Sequence, residues 1–108
     1  MVNSETGLGF APPHPGEILK EDVLPELGMT QEQFAAHLGV KRAGVSDLLN
    51  GKKPVTQEMA IRLGKALKTG ARYWLAMQMQ YDLHHKVPTL ADSIDVKPIA
   101  GFDTPSVA

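Results

Sequence analysis

The sequence predicts an all-α domain of five helices, for three reasons. Apolar residues recur at helical spacing through most of residues 14–86. Capping residues and glycines lie at the expected starts and ends of these segments. The 108 residues are 43% hydrophobic and include no cysteine, so one modest core can form without disulfides. We therefore expect one helical domain at 14–86, between a flexible N-terminal arm at 1–13 and a weakly structured tail at 87–108.

The first two helices are predicted from proline and capping signals. Pro15 suits the first position of a helix, and Pro25 should end that helix or lie just past its end. Thr30 and Gln33 form a Thr-x-x-Gln capping box for a second helix. Gly39 should end it, because glycine readily adopts the left-handed conformation.

Three further helices follow. A short one is expected from about Arg42 to Leu49, and Asn50-Gly51 is a turn signal after it. Thr56 should cap the fourth helix, in which Gly64 indicates close packing against a neighbour. The fifth should run from about Ala71 to His85.

The tail carries two weaker signals. Pro88 should close the helical part, and the alternating triplet Ile94-Asp95-Val96 is compatible with a short strand.

Charge is unevenly distributed along the chain. The net charge is -1, yet residues 41–72 hold eight basic residues against Asp47 and Glu58, a local balance of +6. A local basic surface is what phosphate binding requires, although solvated helix faces would explain the same charges. The eight are Lys41, Arg42, Lys52, Lys53, Arg62, Lys65, Lys68 and Arg72.

The second and third helices meet the demands of a DNA-reading pair. Such helices cross near a right angle through a turn of three or four residues. This needs a small residue at the closest approach, here Ala35, and a turn residue that tolerates positive φ, here Gly39. Val45 and Leu48 would hold the third helix on the second, although a neutral helical hairpin remains the alternative. Four side chains would then face outward: Arg42, Ala43, Ser46 and Asp47.

Residues 31–53 resemble the lambda-repressor-like, or Xre, helix-turn-helix family, whose recognition element typically ends as Asn50-Gly51-Lys52 does here. A longer match, over His14–Lys86, resembles the HigA-type antitoxins. It rests on the opening His14-Pro15-Gly16-Glu17-Ile18-Leu19 and on Trp74-Leu75-x-x-Gln78-x-x-Tyr81-Asp82-Leu83.

The resemblance implies two activities. Such proteins neutralise a HigB-like partner, a RelE-like ribonuclease that cuts messenger RNA, and they repress their own operon by binding double-stranded operator DNA as homodimers. Arg42, Ala43, Ser46 and Asp47 occupy the positions that correspond to the base-reading residues of the family. Phosphate binding falls to Gln31, Lys41, Asn50, Lys52 and Lys53.

The chain departs from the family pattern at three positions. The family usually has Ser or Thr in place of Lys41, often a polar residue in place of Gly44, and often a basic one in place of Asp47. Gly44 and Asp47 leave open an interaction module that has lost DNA binding. A stand-alone transcription regulator without a toxin is the alternative with the same fold.

The fifth helix has two apolar faces about 150° apart. Trp74, Met77, Gln78 and Tyr81 share one, and Leu75, Met79 and Leu83 share the other. We expect the first set to form a dimer or partner interface, since Trp, Tyr and Met are enriched there. Burial of both faces within one monomer is the alternative.

Other function classes have little support. His84, His85 and Asp82 lack metal-ligand spacing, and Ser46-Asp47 has no histidine base nearby in sequence. Met1–Pro13 lacks the features of a secretory signal, and no run approaches the ~20 apolar residues of a spanning helix. We expect a cytoplasmic protein that is not an enzyme, with no metal, cofactor or membrane partner.

Overall fold

A computed structural model describes residues 11–101, and this part of the chain folds as six helices without a strand. The all-α prediction is confirmed, with one helix more than expected. Helix α1 runs in three continuous segments, Pro15–Ile18, Leu19–Val23 and Leu24–Leu27, of which the middle one is π-helical. The others are α2 (Gln31–Leu38), α3 (Arg42–Leu49), α4 (Gln57–Leu67), α5 (Ala71–His85) and α6 (Val87–Ser93). Within residues 11–101, none of these helices combines the length and apolar character needed to cross a bilayer.

Pro25 does not end the first helix, contrary to the sequence prediction. The backbone N–H of Leu24 donates to the carbonyl of Leu19, five residues back, which is the wider π-helical pattern. Proline lacks an N–H and its ring crowds the preceding turn, so the wider turn accommodates Pro25. Helix α1 then continues to Gly28, whose φ of 66° ends it.

The capping predictions for α2 are confirmed. Thr30 Oγ1 accepts from the Gln33 N–H at 3.1 Å, and Gln33 Oε1 accepts from the Thr30 N–H at 2.9 Å. Gly39 ends α2 with a φ of 76°. Both ends of α2 are therefore determined by local chemistry.

One hydrophobic core joins helices α1 to α5. Phe34, Val45, Leu63 and Trp74 are almost fully buried, and Ala35 is buried as expected between α2 and α3. Within residues 11–101, the buried apolar side chains of this core are those of Leu19, Leu24, Phe34, Ala35, Leu38, Val45, Leu48, Leu49, Val55, Ala60, Leu63 and Trp74.

Gly64 allows α4 to pack closely against the start of α5, as the sequence predicts. A Cβ at Gly64 would lie 2.4 Å from the carbonyl carbon of Gly70. The indole N–H of Trp74 donates to Thr69 Oγ1 at 2.8 Å, which secures the same junction. The start of α5 can thus approach α4 closely because Gly64 has no side chain, and the buried ring of Trp74 stabilises the contact.

The tail differs from the sequence prediction. Val87–Ser93 is helical, with Pro88 in its first turn, where a missing N–H costs no hydrogen bond. Residues 94–99 have no regular secondary structure, so the strand at Ile94-Asp95-Val96 does not form in the protomer. A strand needs a partner for its backbone hydrogen bonds, and the described part of the chain offers none. Of the arm predicted at 1–13, residues 1–10 lie outside the described part.

Candidate nucleic-acid interface

Helix α3 is anchored by one face and presents the other to solvent. Val45, Leu48 and Leu49 are buried against the core. Around the rest of the helix, Arg42 and Ala43 are exposed, and Ser46 and Asp47 are half-buried. The four side chains predicted to read bases therefore lie together on the solvent side of α3.

An arginine from α4 binds the C-terminal end of α2. Arg62 Nη1 donates to the carbonyl oxygen of Leu38 at 2.7 Å, and Nη2 pairs with Glu58 at 2.8 Å. The Val40 N–H donates to the Ala35 carbonyl at 3.0 Å, which closes the turn. Arg62, counted in the basic stretch by sequence, thus has a structural role at the end of α2.

Four of the five predicted phosphate-binding residues flank α3 in sequence, and the fifth begins α2. Lys41 precedes α3 and makes no side-chain capping hydrogen bond, as its departure from Ser or Thr suggested. Asn50 follows the helix, and its amide donates to Ser46 Oγ at 3.5 Å. Lys52 is exposed in the following loop. Gln31 begins α2.

Asp47 is paired with a neighbouring cation. Its carboxylate lies 3.5 Å from Lys53 Nζ, and both side chains are substantially exposed. An exposed pair of this kind contributes little to stability, about 0–1 kcal/mol. Its main consequence is electrostatic, because Asp47 offsets the charge of one of the cations beside α3.

Lys20 is a cation beside α3 that the sequence analysis did not single out. It lies on α1, and its ammonium donates to Asn50 Oδ1 at 3.3 Å. No local pattern marks it, since thirty residues separate the two. The fold alone brings this charge to the end of α3.

The start of α1 packs on the end of α3 without room for a side chain. A Cβ at Gly16 would lie 1.8 Å from the carbonyl oxygen of Leu48. His14 caps α1, because its Nδ1 accepts from the Gly16 N–H at 2.9 Å. The opening His14-Pro15-Gly16, recognised in the sequence only as a resemblance, therefore positions the end of α3.

His14 is itself buried at this junction. Its ring meets the edge of Tyr81 with centroids 5.0 Å apart, and its Nε2 has no hydrogen-bond partner among residues 11–101. Burial lowers the pKa of His14 below its ordinary 6.5, and the nearby backbone of Lys53 opposes this only in part. The neutral ring is therefore the form that suits the folded state.

The face of α5 predicted as an interface belongs largely to the core. Trp74 is 1% exposed and Gln78 is 5% exposed. Gln78 Oε1 accepts from the Val55 N–H at 2.8 Å, which ties α5 to the loop after α3. Met77 is half-buried against the core, and Tyr81 is half-buried on His14.

The opposite face of α5 is open only beyond Leu75, which is half-buried against the core. Met79 is 62% exposed and Leu83 is 57% exposed. Periodicity located both apolar faces but could not say which one the core would cover. The assignment of Trp74 and Gln78 to an intermolecular interface is corrected accordingly.

Comparisons with known proteins agree with this geometry. The family model "Helix-turn-helix" matches residues 19–74. Virulence-associated protein A' of Dichelobacter nodosus is 40% identical over 79% of this chain and 74% of its own length. Antitoxin HigA-1 of Vibrio cholerae is 40% identical over 63% of this chain and 64% of its own length.

A solved structure extends the likeness to almost the whole of a related protein. The Pseudomonas aeruginosa antitoxin HigA, solved with the higBA promoter, is 31% identical. The match covers 82% of this chain and 98% of that one, with a TM-score of 0.72. The chain belongs to the helix-turn-helix family and, within it, to the HigA-type antitoxins with the lambda-repressor-like (Xre) fold.

Proposed function

We propose that this protein binds operator DNA through α3, represses its own operon, and neutralises a HigB-like toxin, a RelE-like ribonuclease that cuts messenger RNA. The observation that carries the DNA-binding part is the solvent-facing side of α3, where Arg42 and Ala43 are exposed and Ser46 and Asp47 are half-buried. Residues at the start of a recognition helix reach base edges in the major groove. Arg42 is suited to a bidentate contact with guanine there.

Cations around α3 supply the contact with the DNA backbone. Lys41, Lys52 and Lys53 are exposed beside it, and Lys20 joins them from α1. The N-terminus of α2 at Gln31 adds unpaired backbone N–H groups, which favour a phosphate. The proposed surface thus combines base-reading side chains with a rim of positive charge.

The proposed DNA-bound form is a homodimer. Two recognition helices must reach half-sites about one DNA turn apart, so the operator should be an inverted repeat. The corrected exposed face of α5, with Met79 and Leu83, is the surface we assign to contacts between protein chains.

A salt titration tests the DNA-binding surface. Lys52→Ala with Lys53→Ala should reduce the log–log slope of affinity against salt by about 1.8, since each lost phosphate contact contributes about 0.9. Affinity for operator and random DNA should fall alike. The matched control is Lys65→Ala with Arg72→Ala, which removes the same charge from α4 and α5 and should leave the slope nearly unchanged. Equal slopes in the two double variants would refute the assignment.

Co-expression tests the toxin-binding part. The reading frame adjacent to this gene should arrest growth when expressed alone, and this protein should restore growth and be recovered in complex with it. Operator binding without growth rescue would instead identify a stand-alone transcription regulator.

A further inference from the structure

Three side chains form a hydrogen-bonded network that reaches the solvent side of α3. Lys20 Nζ donates to Asn50 Oδ1 at 3.3 Å, and Asn50 Nδ2 donates to Ser46 Oγ at 3.5 Å. Ser46 is one of the side chains proposed to read bases, whereas Lys20 belongs to α1. One end of the Lys20–Asn50–Ser46 network is therefore supplied by a different helix from the one that faces the DNA.

The fold holds both links of this network in place. Leu19 is fully buried, and the start of α1 packs on the end of α3. Lys20, the next residue, is therefore held beside Asn50. The backbone N–H of Asn50 donates to the Ser46 carbonyl at 3.0 Å, so Asn50 continues the helical geometry of α3. Side chains four residues apart in that geometry are neighbours.

Lys20 is directed to Asn50 although carboxylates lie near it in sequence. Glu17 and Glu21 are on the same helix, yet Lys20 forms no ion pair within residues 11–101. An ammonium group has three N–H donors, so two remain for a phosphate of the DNA backbone. The link to Asn50 is thus compatible with the place of Lys20 in the rim of positive charge.

The chemistry of the three groups fixes the direction of both hydrogen bonds. An ammonium group can only donate, so the amide oxygen of Asn50 must face Lys20. The amide nitrogen then faces Ser46, and because this nitrogen can also only donate, Ser46 Oγ must accept. Within the part of the chain that the structure describes, the Ser46 hydroxyl donates to no protein group. Its proton is therefore available to the DNA.

We propose that Lys20 and Asn50 are positioning residues that keep Ser46 a hydrogen-bond donor toward the DNA. The inference rests on the proposed function, in which Ser46 reads a base, and specifies which bases it accepts. A serine hydroxyl by itself can donate or accept, so it discriminates little between bases. With the network in place, the Ser46 proton needs an acceptor on the base that it contacts.

The bases differ in what they offer such a donor in the major groove. Guanine presents N7 and O6, thymine presents O4, and adenine presents N7 beside its amino group. Cytosine presents only its amino group, which is a donor. That amino group could use a remaining lone pair of Ser46 but would leave the hydroxyl proton without an acceptor, which is unfavourable where water is excluded. Cytosine is thus the base that the network disfavours.

The relative affinities of four double-stranded DNA sites test this inference. The sites derive from the sequence that the wild type selects from a random library. They differ only in the base pair at which Ser46→Ala relaxes the preference, changed in both half-sites. Wild type should accept both orientations of the A·T pair and one orientation of the G·C pair. It should bind the other orientation, with cytosine toward Ser46, about tenfold more weakly.

Substitution of Lys20 tests the first link. Lys20→Met removes the ammonium group and keeps a side chain of similar length, so the Asn50 amide is free to turn and accept the Ser46 proton. The penalty against cytosine should fall to about threefold or less. Lys20→Arg retains a group that can only donate and should keep the wild-type penalty.

Asn50→Asp tests the second link and should invert the preference. A carboxylate can only accept, so it takes the Ser46 proton and leaves lone pairs for the DNA. The site with cytosine toward Ser46 should then bind more tightly than the site with guanine there. Lys52→Gln is the matched control, because it lowers the charge beside α3 by the same one unit. It should weaken binding to all four sites alike.

A penalty against cytosine that stays unchanged in Lys20→Met and Asn50→Asp, while affinity for all four sites falls alike, would overturn the inference. Both side chains would then contact only phosphates. A wild-type preference for cytosine, or a Ser46→Ala variant that keeps the wild-type preference at every position, would overturn it as well. The proposed function would still stand in these cases if Arg42→Ala relaxed a position of the selected site. It fails only if neither Arg42→Ala nor Ser46→Ala changes that site.

Discussion

Gly16→Ala should destabilise the protein, although alanine is the better helix former. The added Cβ would lie 1.8 Å from the carbonyl oxygen of Leu48, and real Cβ atoms essentially never come closer than 3.0 Å. The start of α1 must therefore move at least 1.2 Å away from α3, the difference between these two distances. The obstructing atom belongs to the backbone of α3, so no side-chain rotation relieves the clash.

The magnitude follows from two opposing effects. Overpacking of a well-packed site costs about 1–3 kcal/mol, and a backbone clash belongs at the upper end. The higher helix propensity of alanine returns up to about 1 kcal/mol. We expect a net loss of about 2 kcal/mol, which lowers the Tm by about 8–16 °C in a domain of this size. Operator affinity should fall about tenfold or more, because the end of the recognition helix shifts.

Gly44→Ala is the matched control. It makes the same substitution within α3 itself, where an added Cβ meets nothing within 4 Å. It should raise the free energy of unfolding by about 1 kcal/mol. Urea denaturation and gel-shift titration of both variants decide the matter. A Gly16→Ala protein as stable as wild type would refute the packing of α1 on α3.

Three further predictions concern single side chains. His14→Asn keeps an N-cap but removes an imidazole whose pKa in the folded protein lies below its ordinary 6.5. In the wild type, the unfolded chain therefore binds a proton at His14 more readily than the folded protein does as the pH falls below 6.5. Wild-type stability should therefore fall relative to the variant as pH drops below 6.5, and parallel pH profiles of unfolding would count against the buried neutral ring. Gln78→Leu leaves the buried N–H of Val55 unpaired and should lower the free energy of unfolding in urea by about 1–3 kcal/mol. The control Gln80→Leu, at an exposed position of the same helix, should change it little. Equal effects of the two substitutions would contradict the role of Gln78. Asp47→Ala should strengthen binding to operator and random DNA alike, because it releases Lys53, and a loss confined to the operator in gel shifts would show instead that Asp47 reads a base.

The sequence predicts much of this fold because its signals are local. The capping box at Thr30, the left-handed Gly39 and the close packing at Gly64 are each determined within a few residues. Pro25 misleads for the opposite reason, since a π turn lets α1 pass through it. Helix boundaries at prolines depend on how the neighbouring turn adapts, and that is not visible in the residue types.

The candidate site is predictable along α3 and in the residues that flank it in sequence, but not where α1 contributes to it. The outward set from Arg42 to Asp47 follows from periodicity once α3 is placed. Lys20 reaches the site only through the tertiary fold, and so does the contact of Gly16 with Leu48. Two of the four side chains expected at an interface on α5, Trp74 and Gln78, are buried in the core instead, because two apolar faces compete for one core and only packing decides between them.

Site selection from a random DNA library tests the central claim, that α3 reads the operator, most directly. Wild type should select an inverted repeat with half-sites about one DNA turn apart. Arg42→Ala should lose about 1–3 kcal/mol of affinity and relax the preference at one position of each half-site, and Ser46→Ala should alter a neighbouring position. If both variants select the wild-type site with undiminished preference at every position, α3 is not the reading element and the account is wrong.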